Sequence, residues 1–137
     1  MDKVIFACVH NAGRSQMAAA FFNRLANPKL AYAISAGTNP TARVHPAVVE
    51  VMEEAGLDLR GGRPQRLTAA LAHDAALLVT MGCGDQCPFV PGVALADWPL
   101  ADPKDRPLEE VRRIRDEVRA RVEALIASSG WTRDPRS

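Results

Sequence analysis

Charge of either sign is nearly balanced in this sequence, with 17 basic side chains against 16 acidic ones leaving +1 over 137 residues. That balance argues against a nucleic-acid or membrane-surface protein that works by bulk electrostatics. No apolar run approaches the roughly 20 residues that span a bilayer. The start, Met1-Asp2-Lys3 followed by Val4 to Val9, is too short and wrongly flanked for a signal peptide, so a cytoplasmic location is expected. Internal repeats and low-complexity segments are absent. Cysteine is scarce, with only Cys8, Cys83 and Cys87. An odd number without a secretion signal does not read as a disulfide framework; it reads as free thiols, a metal site or redox chemistry. What is there is an ordinary globular composition, 47% hydrophobic and 24% charged. It suffices for a single domain over residues 1–137 with one core.

Short apolar runs alternate with helical stripes. Lys3 to Val9, Leu30 to Ser35, Ala75 to Thr80 and Val93 to Trp98 read as four buried strands. Between the first two, Ser15 serves as N-cap for a helix from Gln16 to Ala26, with Met17, Phe21 and Leu25 inward. Pro46 opens a second helix that turns Val48, Val49, Met52 and Ala55 inward and stops at Gly56. A brief helix opens at Thr68. Leu108 to Ser128 is a long helix with Val111, Ile114, Val118, Val122 and Leu125 inward, and with outer pairs Glu109–Arg113 and Glu117–Arg121. The tail from Gly130 to Ser137 is expected to fray. The alternation predicts an α/β single domain, a four-stranded parallel sheet with helices on both faces. Ligands in such folds bind beyond the carboxyl ends of the strands. The loops at that edge carry Cys8 to Ser15, then Cys83 and Cys87, then Asp97 to Asp102.

Cys8-Val9-His10-Asn11-Ala12-Gly13-Arg14-Ser15 joins a strand to a helix. A loop wrapped at a helix N-terminus points successive amides into one concavity, and the helix dipole adds positive potential. That hollow, formed by Val9, His10, Asn11, Ala12, Gly13, Arg14 and Ser15, suits a tetrahedral oxyanion. The planar fork of Arg14 holds two of the anion's oxygens. Cys8 on the floor of the same nest is expected as a thiolate, placed for in-line attack. Ser15 donates a hydrogen bond to that sulfur, and Asn11 braces the strained turn. The loop lacks the G-x-x-x-x-G-K-[ST] spacing of a nucleotide-binding loop.

These eight residues resemble the phosphate-binding loop of low-molecular-weight protein tyrosine phosphatases and of the arsenate reductases that share their fold. The form Asn11-Ala12-Gly13-Arg14-Ser15-Gln16-Met17-Ala18 is similar to the reductase branch. Ser35-Ala36-Gly37-Thr38, Met81-Gly82-Cys83-Gly84-Asp85, Cys87-Pro88, Asp97-Trp98-Pro99-Leu100 and Asp102-Pro103 resemble the same family in order, from about Lys3 to Ile126. The resemblance implies a low-molecular-weight phosphatase-like fold and an arsenate reductase without metal or organic cofactor. Asp102 takes the place of the family's general acid, with Asp97 and Asp105 as rivals; expelling an oxygen from the tetrahedral centre requires a proton. It further implies that Cys83 attacks Cys8 after arsenate has bound, that Cys87 then attacks Cys83, and that thioredoxin reduces the resulting disulfide. Only three residues separate Cys83 from Cys87, a shorter gap than in well-known thioredoxin-coupled members. The alternatives are a low-molecular-weight thiol with a glutaredoxin-like partner, or a phosphatase acting on aryl phosphates. A third reading, from another class, is a non-catalytic arsenite or redox sensor using the thiols as ligands. Arsenate, with phosphate or sulfate as competitors, is the expected small-molecule partner; no nucleic acid or membrane is expected, and a monomer is. The acidic residue that helps bind potassium in some members is replaced by Ala18-Ala19-Ala20, so no such ion site is expected.

Several features read more plainly. Cys8-x-His10 with Cys83-x3-Cys87 does not have a usual zinc spacing. His45 flanks a helix and His73 lies on the surface. Arg60, Arg63 and Arg66 form a local basic patch. Trp98 packs beside the acid loop, and Trp131 caps the last helix.

Overall fold

The computed structural model describes residues 1–82 and 90–133. Strand β1 (Asp2–Cys8) pairs in parallel with β2 (Ala31–Gly37) on one side and with β3 (Leu77–Thr80) on the other. Strand β4 (Ala94–Asp97) adds to β3, giving the order β2-β1-β3-β4, all parallel, as expected. β1 lies inside because both of its faces are apolar: every residue from Val4 to Cys8 is buried. Val4, Phe6 and Cys8 join the larger core layer beneath α1 (Arg14–Leu25), α2 (Pro46–Glu54) and α4 (Leu108–Ser129). Ile5 and Ala7 point to the other face, with Leu78 beside them, and α3 (Ala69–Ala72), Leu67, Ala75 and Val90 cover it. No helix among the described residues is long and apolar enough to cross a membrane.

The helical registers need small corrections. Ser15 is not the N-cap: α1 begins at Arg14 with Gly13 in the cap position and no side-chain cap. The Ser15 hydroxyl is engaged elsewhere, with Cys8 and Asn11. Phe22, fully buried, takes the inward place expected of Leu25, which is only partly covered. α1 wedges between the sheet and α4, so its apolar stripe is wider than a single line of residues four apart. In α2 the fully buried set is Val48, Val51 and Met52, with Val49 and Ala55 at its margin. In α4 Ile126 closes the buried stripe, and Leu125 stands beside it. Glu109–Arg113 and Glu117–Arg121 do pair on the outside, at 3.0 and 3.8 Å.

The expected fraying after residue 129 is overturned as far as Arg133; residues 134–137 lie outside the described residues. Gly130 adopts φ 75 and ends α4 in the left-handed region. The Trp131 amide then bonds the Ile126 carbonyl at 3.0 Å, so Trp131 does cap the helix. Its indole packs edge-on against Phe22 with centroids 5.6 Å apart, and its Nε1 donates to Asp2 Oδ2 at 3.0 Å. Asn27 donates to the Trp131 carbonyl, and Thr132 bridges to Ala26. A large apolar ring found a pocket between α1 and the start of β1, and its burial holds the tail in place. Trp131→Ala should lower unfolding free energy by about 3 kcal/mol, the usual scale for emptying a buried aromatic site. Urea denaturation would measure it.

Candidate active site

Residues 8–15 carry the chain from the carboxyl end of β1 into α1, next to the point where strand order reverses. The turn runs through Asn11, whose φ of 51 is a left-handed conformation that asparagine tolerates better than most side chains. Its fully buried carboxamide holds the turn. Nδ2 donates to Ser15 Oγ at 2.7 Å, and Oδ1 accepts from the Gln65 amide at 2.9 Å. Gln16 Nε2 donates to the Asn11 carbonyl at 3.0 Å.

The neighbouring carbonyls are all taken from outside the loop. Those of Cys8, Val9, His10 and Ala12 accept from the amides of Thr38, Asn39, Thr41 and His45 at 2.8 to 3.2 Å. A trans peptide plane sets each carbonyl opposite the next residue's N–H. The amides of Val9, His10, Asn11 and Gly13 are therefore directed the other way, toward the interior of the loop. This is the geometry of an anion-binding nest at a helix N-terminus. Close approach of segment 38–45 depends on Gly37: a Cβ there would stand 2.6 Å from the Val9 carbonyl oxygen.

On the floor of the loop Cys8 Sγ lies 2.9 Å from Ser15 Oγ, and both residues are buried. Asn11 occupies an acceptor site on that hydroxyl, which leaves the Ser15 proton to point at sulfur. The Arg14 guanidinium, with its side chain 7% exposed, donates from Nη1 to the Leu100 carbonyl at 3.0 Å. Its Nη2 stands 3.7 Å from Asp102 Oδ2. Asp102 is anchored in a turn, its Oδ1 accepting from the Lys104 amide and its carbonyl accepting from Arg106 Nε. Of the three aspartates considered, Asp97 is engaged by Thr80 Oγ1 at 2.8 Å and Asp105 sits at a left-handed turn. Asp102 is the one that meets Arg14. Trp98 is buried against Phe6, at 5.5 Å between ring centroids, beneath this acid loop.

The structure thus brings Cys8, Asn11, Arg14, Ser15 and Asp102 together, with Val9, His10, Ala12 and Gly13 forming the loop itself. Cys83 and Cys87 lie outside the described residues. No group of three or more His, Cys, Asp or Glu able to hold a metal occurs among the described residues. His73 is exposed, as expected, its Nδ1 near the Ala70 carbonyl. In the basic patch Arg60 pairs with Asp58, whose carboxyl its guanidinium and amide hold at about 2. Arg66 donates to the Thr38 carbonyl. Sequence reasoning missed the backbone of 38–45, Gln65, the Leu100 carbonyl and the bracing role of Gln16. Backbone partners leave no side-chain signature. Gln16 offered a signal, being an amide placed on a helix that otherwise reads as apolar, where it is 7% exposed.

Residues 3–131 match the family described as low molecular weight phosphotyrosine protein phosphatase. The chain belongs to that family. A putative arsenate reductase of Halobacterium salinarum is 38% identical over 125 residues, covering 88% of either chain. A glutaredoxin arsenate reductase of Synechocystis is 38% identical over 130 residues, covering 93% of this chain and 98% of that one. Among solved structures, a thioredoxin-dependent arsenate reductase of Corynebacterium glutamicum superposes with a TM-score of 0.79 at 35% identity. The match spans 93% of this chain and 61% of that longer one. The solved structure of an arsenate reductase in the phosphate binding state superposes with a TM-score of 0.79 at 34% identity, over 93% of this chain and 98% of that one. Within this phosphatase family the chain is thus most similar, among the relatives named, to proteins called arsenate reductases.

His45, half-buried at the start of α2, flanks the site. Burial lowers its pKa; Asp102 and Asp105 pull it back up, while His10 and Lys104 reinforce the decrease. A histidine that resists protonation in the fold binds fewer protons than in the unfolded chain. Its contribution is intact above the ordinary value of 6.5 and is lost as pH falls from there through the lowered folded value. The urea midpoint of the protein should therefore drop between pH 7 and 5, and His45→Gln should flatten that dependence.

Proposed function

We propose that this chain reduces arsenate to arsenite, with Cys8 as nucleophile. The observation that carries the reading is the Cys8 sulfur beneath inward-turned amides, 2.9 Å from Ser15 Oγ, with Arg14 and Asp102 at the rim. The names of the family relatives support the choice of arsenate over an aryl phosphate.

In this reading arsenate enters the loop with its oxygens on the amides and on the Arg14 fork. The Cys8 thiolate, steadied by Ser15, attacks arsenic and forms an S–As bond. One As–O bond breaks, and Asp102 protonates the departing oxygen to water. A second thiolate, Cys83, then attacks Cys8 Sγ. The S–As bond breaks, arsenic keeps its electron pair and leaves as arsenite, and a Cys8–Cys83 disulfide remains. Attack of Cys87 on Cys83 frees Cys8 and moves the disulfide to Cys83–Cys87, which an external dithiol such as thioredoxin reduces. No metal or organic cofactor takes part. Three thiols kept reduced suit a cytosolic setting.

A second reading has a specific support, the similarity to the glutaredoxin arsenate reductase of Synechocystis. There a low-molecular-weight thiol would take the arsenic–sulfur adduct from Cys8, and a glutaredoxin-like partner would complete the reduction. The deciding experiment is arsenate-dependent NADPH oxidation with thioredoxin and its reductase, set against glutathione with glutaredoxin. Thioredoxin-driven turnover is expected. Cys8→Ser should abolish it, and Asp102→Asn should lower kcat by about two to three orders of magnitude. Cys83→Ser should end multiple turnover yet spare any aryl-phosphate hydrolysis. Full thioredoxin-driven turnover in Cys87→Ser would overturn the relay, and brisk aryl-phosphate hydrolysis with no arsenate reduction would make the protein a phosphatase.

A further inference from the structure

We propose that Gly82 is a positioning residue for oxyanion recognition: its missing side chain makes the room in which the Arg14 guanidinium is seated. This deepens the reading above and rests on it, because it takes Arg14 as the group that grips the anion. Two observations fix the place of Gly82. Met81 before it is fully buried, and its amide bonds the Ala7 carbonyl at 2.7 Å, so the chain leaves β3 at a set point. Gly82 itself adopts φ +95, a backbone from which an added Cβ would be directed at the arginine. A Cβ at Gly82 would overlap Nη1 of Arg14 and stand 3.2 Å from Cζ and 3.6 Å from Nη2.

The guanidinium has little room to give way. It is buried, with Nη1 on the Leu100 carbonyl at 3.0 Å and Nη2 facing Asp102 at 3.7 Å. These two contacts belong to the loop after β4, whereas Gly82 belongs to the loop after β3. The arginine that starts α1 is thus held between the loops after β3 and β4 at the sheet's carboxyl edge. A methyl group at residue 82 would displace the end of a side chain, a small steric demand on the fold. It would also displace the fork that has to match two anion oxygens, a large demand on recognition. The expected defect lies in anion affinity more than in stability.

The test uses the reduced full-length protein, with inorganic phosphate binding by calorimetry and the KM for arsenate as readouts. Gly82→Ala should weaken phosphate binding at least tenfold, roughly what one lost charge-assisted hydrogen bond gives. Backbone strain is controlled by Gly56→Ala, at φ +83 with nothing within 4 Å of the added carbon, which should bind phosphate as the parent does. If Gly82→Ala does not fold, Gly82→Asn carries the same Cβ on a residue that tolerates this backbone. In an Arg14→Ala background, adding Gly82→Ala should change affinity less than twofold, because the group it displaces is gone. Parent-like affinity in Gly82→Ala, an equal loss in Gly56→Ala, or a full further loss in the Arg14→Ala background would each overturn the proposal. The two readings separate cleanly. Parent-like phosphate affinity in Arg14→Ala overturns the role of Arg14 itself, whereas a loss there with none in Gly82→Ala removes only the role of Gly82.

Discussion

Four carbonyls turned outward are the constraint on which the site depends. Those of Cys8, Val9, His10 and Ala12 are each held by an amide of segment 38–45, and planarity of the peptide then aims the following amides inward. A buried loop with so many polar groups would be costly if any were left unpaired. Here the cost is avoided by pairing one loop with another rather than with a strand. Asn11 completes the pattern, since its left-handed backbone makes the reversal and its carboxamide ties the turn to Ser15 and to Gln65. The inward set of the amides is thus fixed by the protein's own bonds, the condition under which dipoles act most strongly.

Electrostatics in the site follow the same economy of parts. Arg14 is a nearly buried cation, and such a charge is tolerated only where partners surround it. The Leu100 carbonyl and the Asp102 carboxylate supply them from the loop after β4. The same contact ties the loop after β4 to the start of α1, and the Pro103 ring behind Asp102 packs on Gly13. Residues from the four strand ends converge because the sheet is parallel, which puts all those ends at one edge.

Much of the fold was legible because burial on both faces leaves a simple trace. Val4 to Cys8 and Leu77 to Val79 are continuous apolar runs, and each lies in a strand in the expected place. Helix registers were less legible. The line through Met17, Phe21 and Leu25 missed Phe22, because a helix wedged between a sheet and another helix buries two adjacent columns of side chains. Ser15 looked like a cap since serine caps helices well, yet a hydroxyl within reach of a buried sulfur and a buried amide was drawn to those instead. Trp131 read as a helix cap within a fraying tail, and only the three-dimensional gap beside Phe22 and Asp2 could reveal how firmly it is anchored. In the site, the side chains that the fold brings together were readable from Cys8 to Ser15. The bracing by 38–45 was not, because any sequence with those amides in that shape would serve.

The central position of β1 has a consequence for the thiol exchange proposed above. Cys8 ends a strand flanked by neighbours on both sides, clasped at its start by the ring of Trp131, and its own sulfur sits under the loop it opens. Such an atom stays at home. In the proposed relay the incoming sulfur is therefore the one that has to move, and the rate of that encounter belongs to the visitor and the doorway, not to the host.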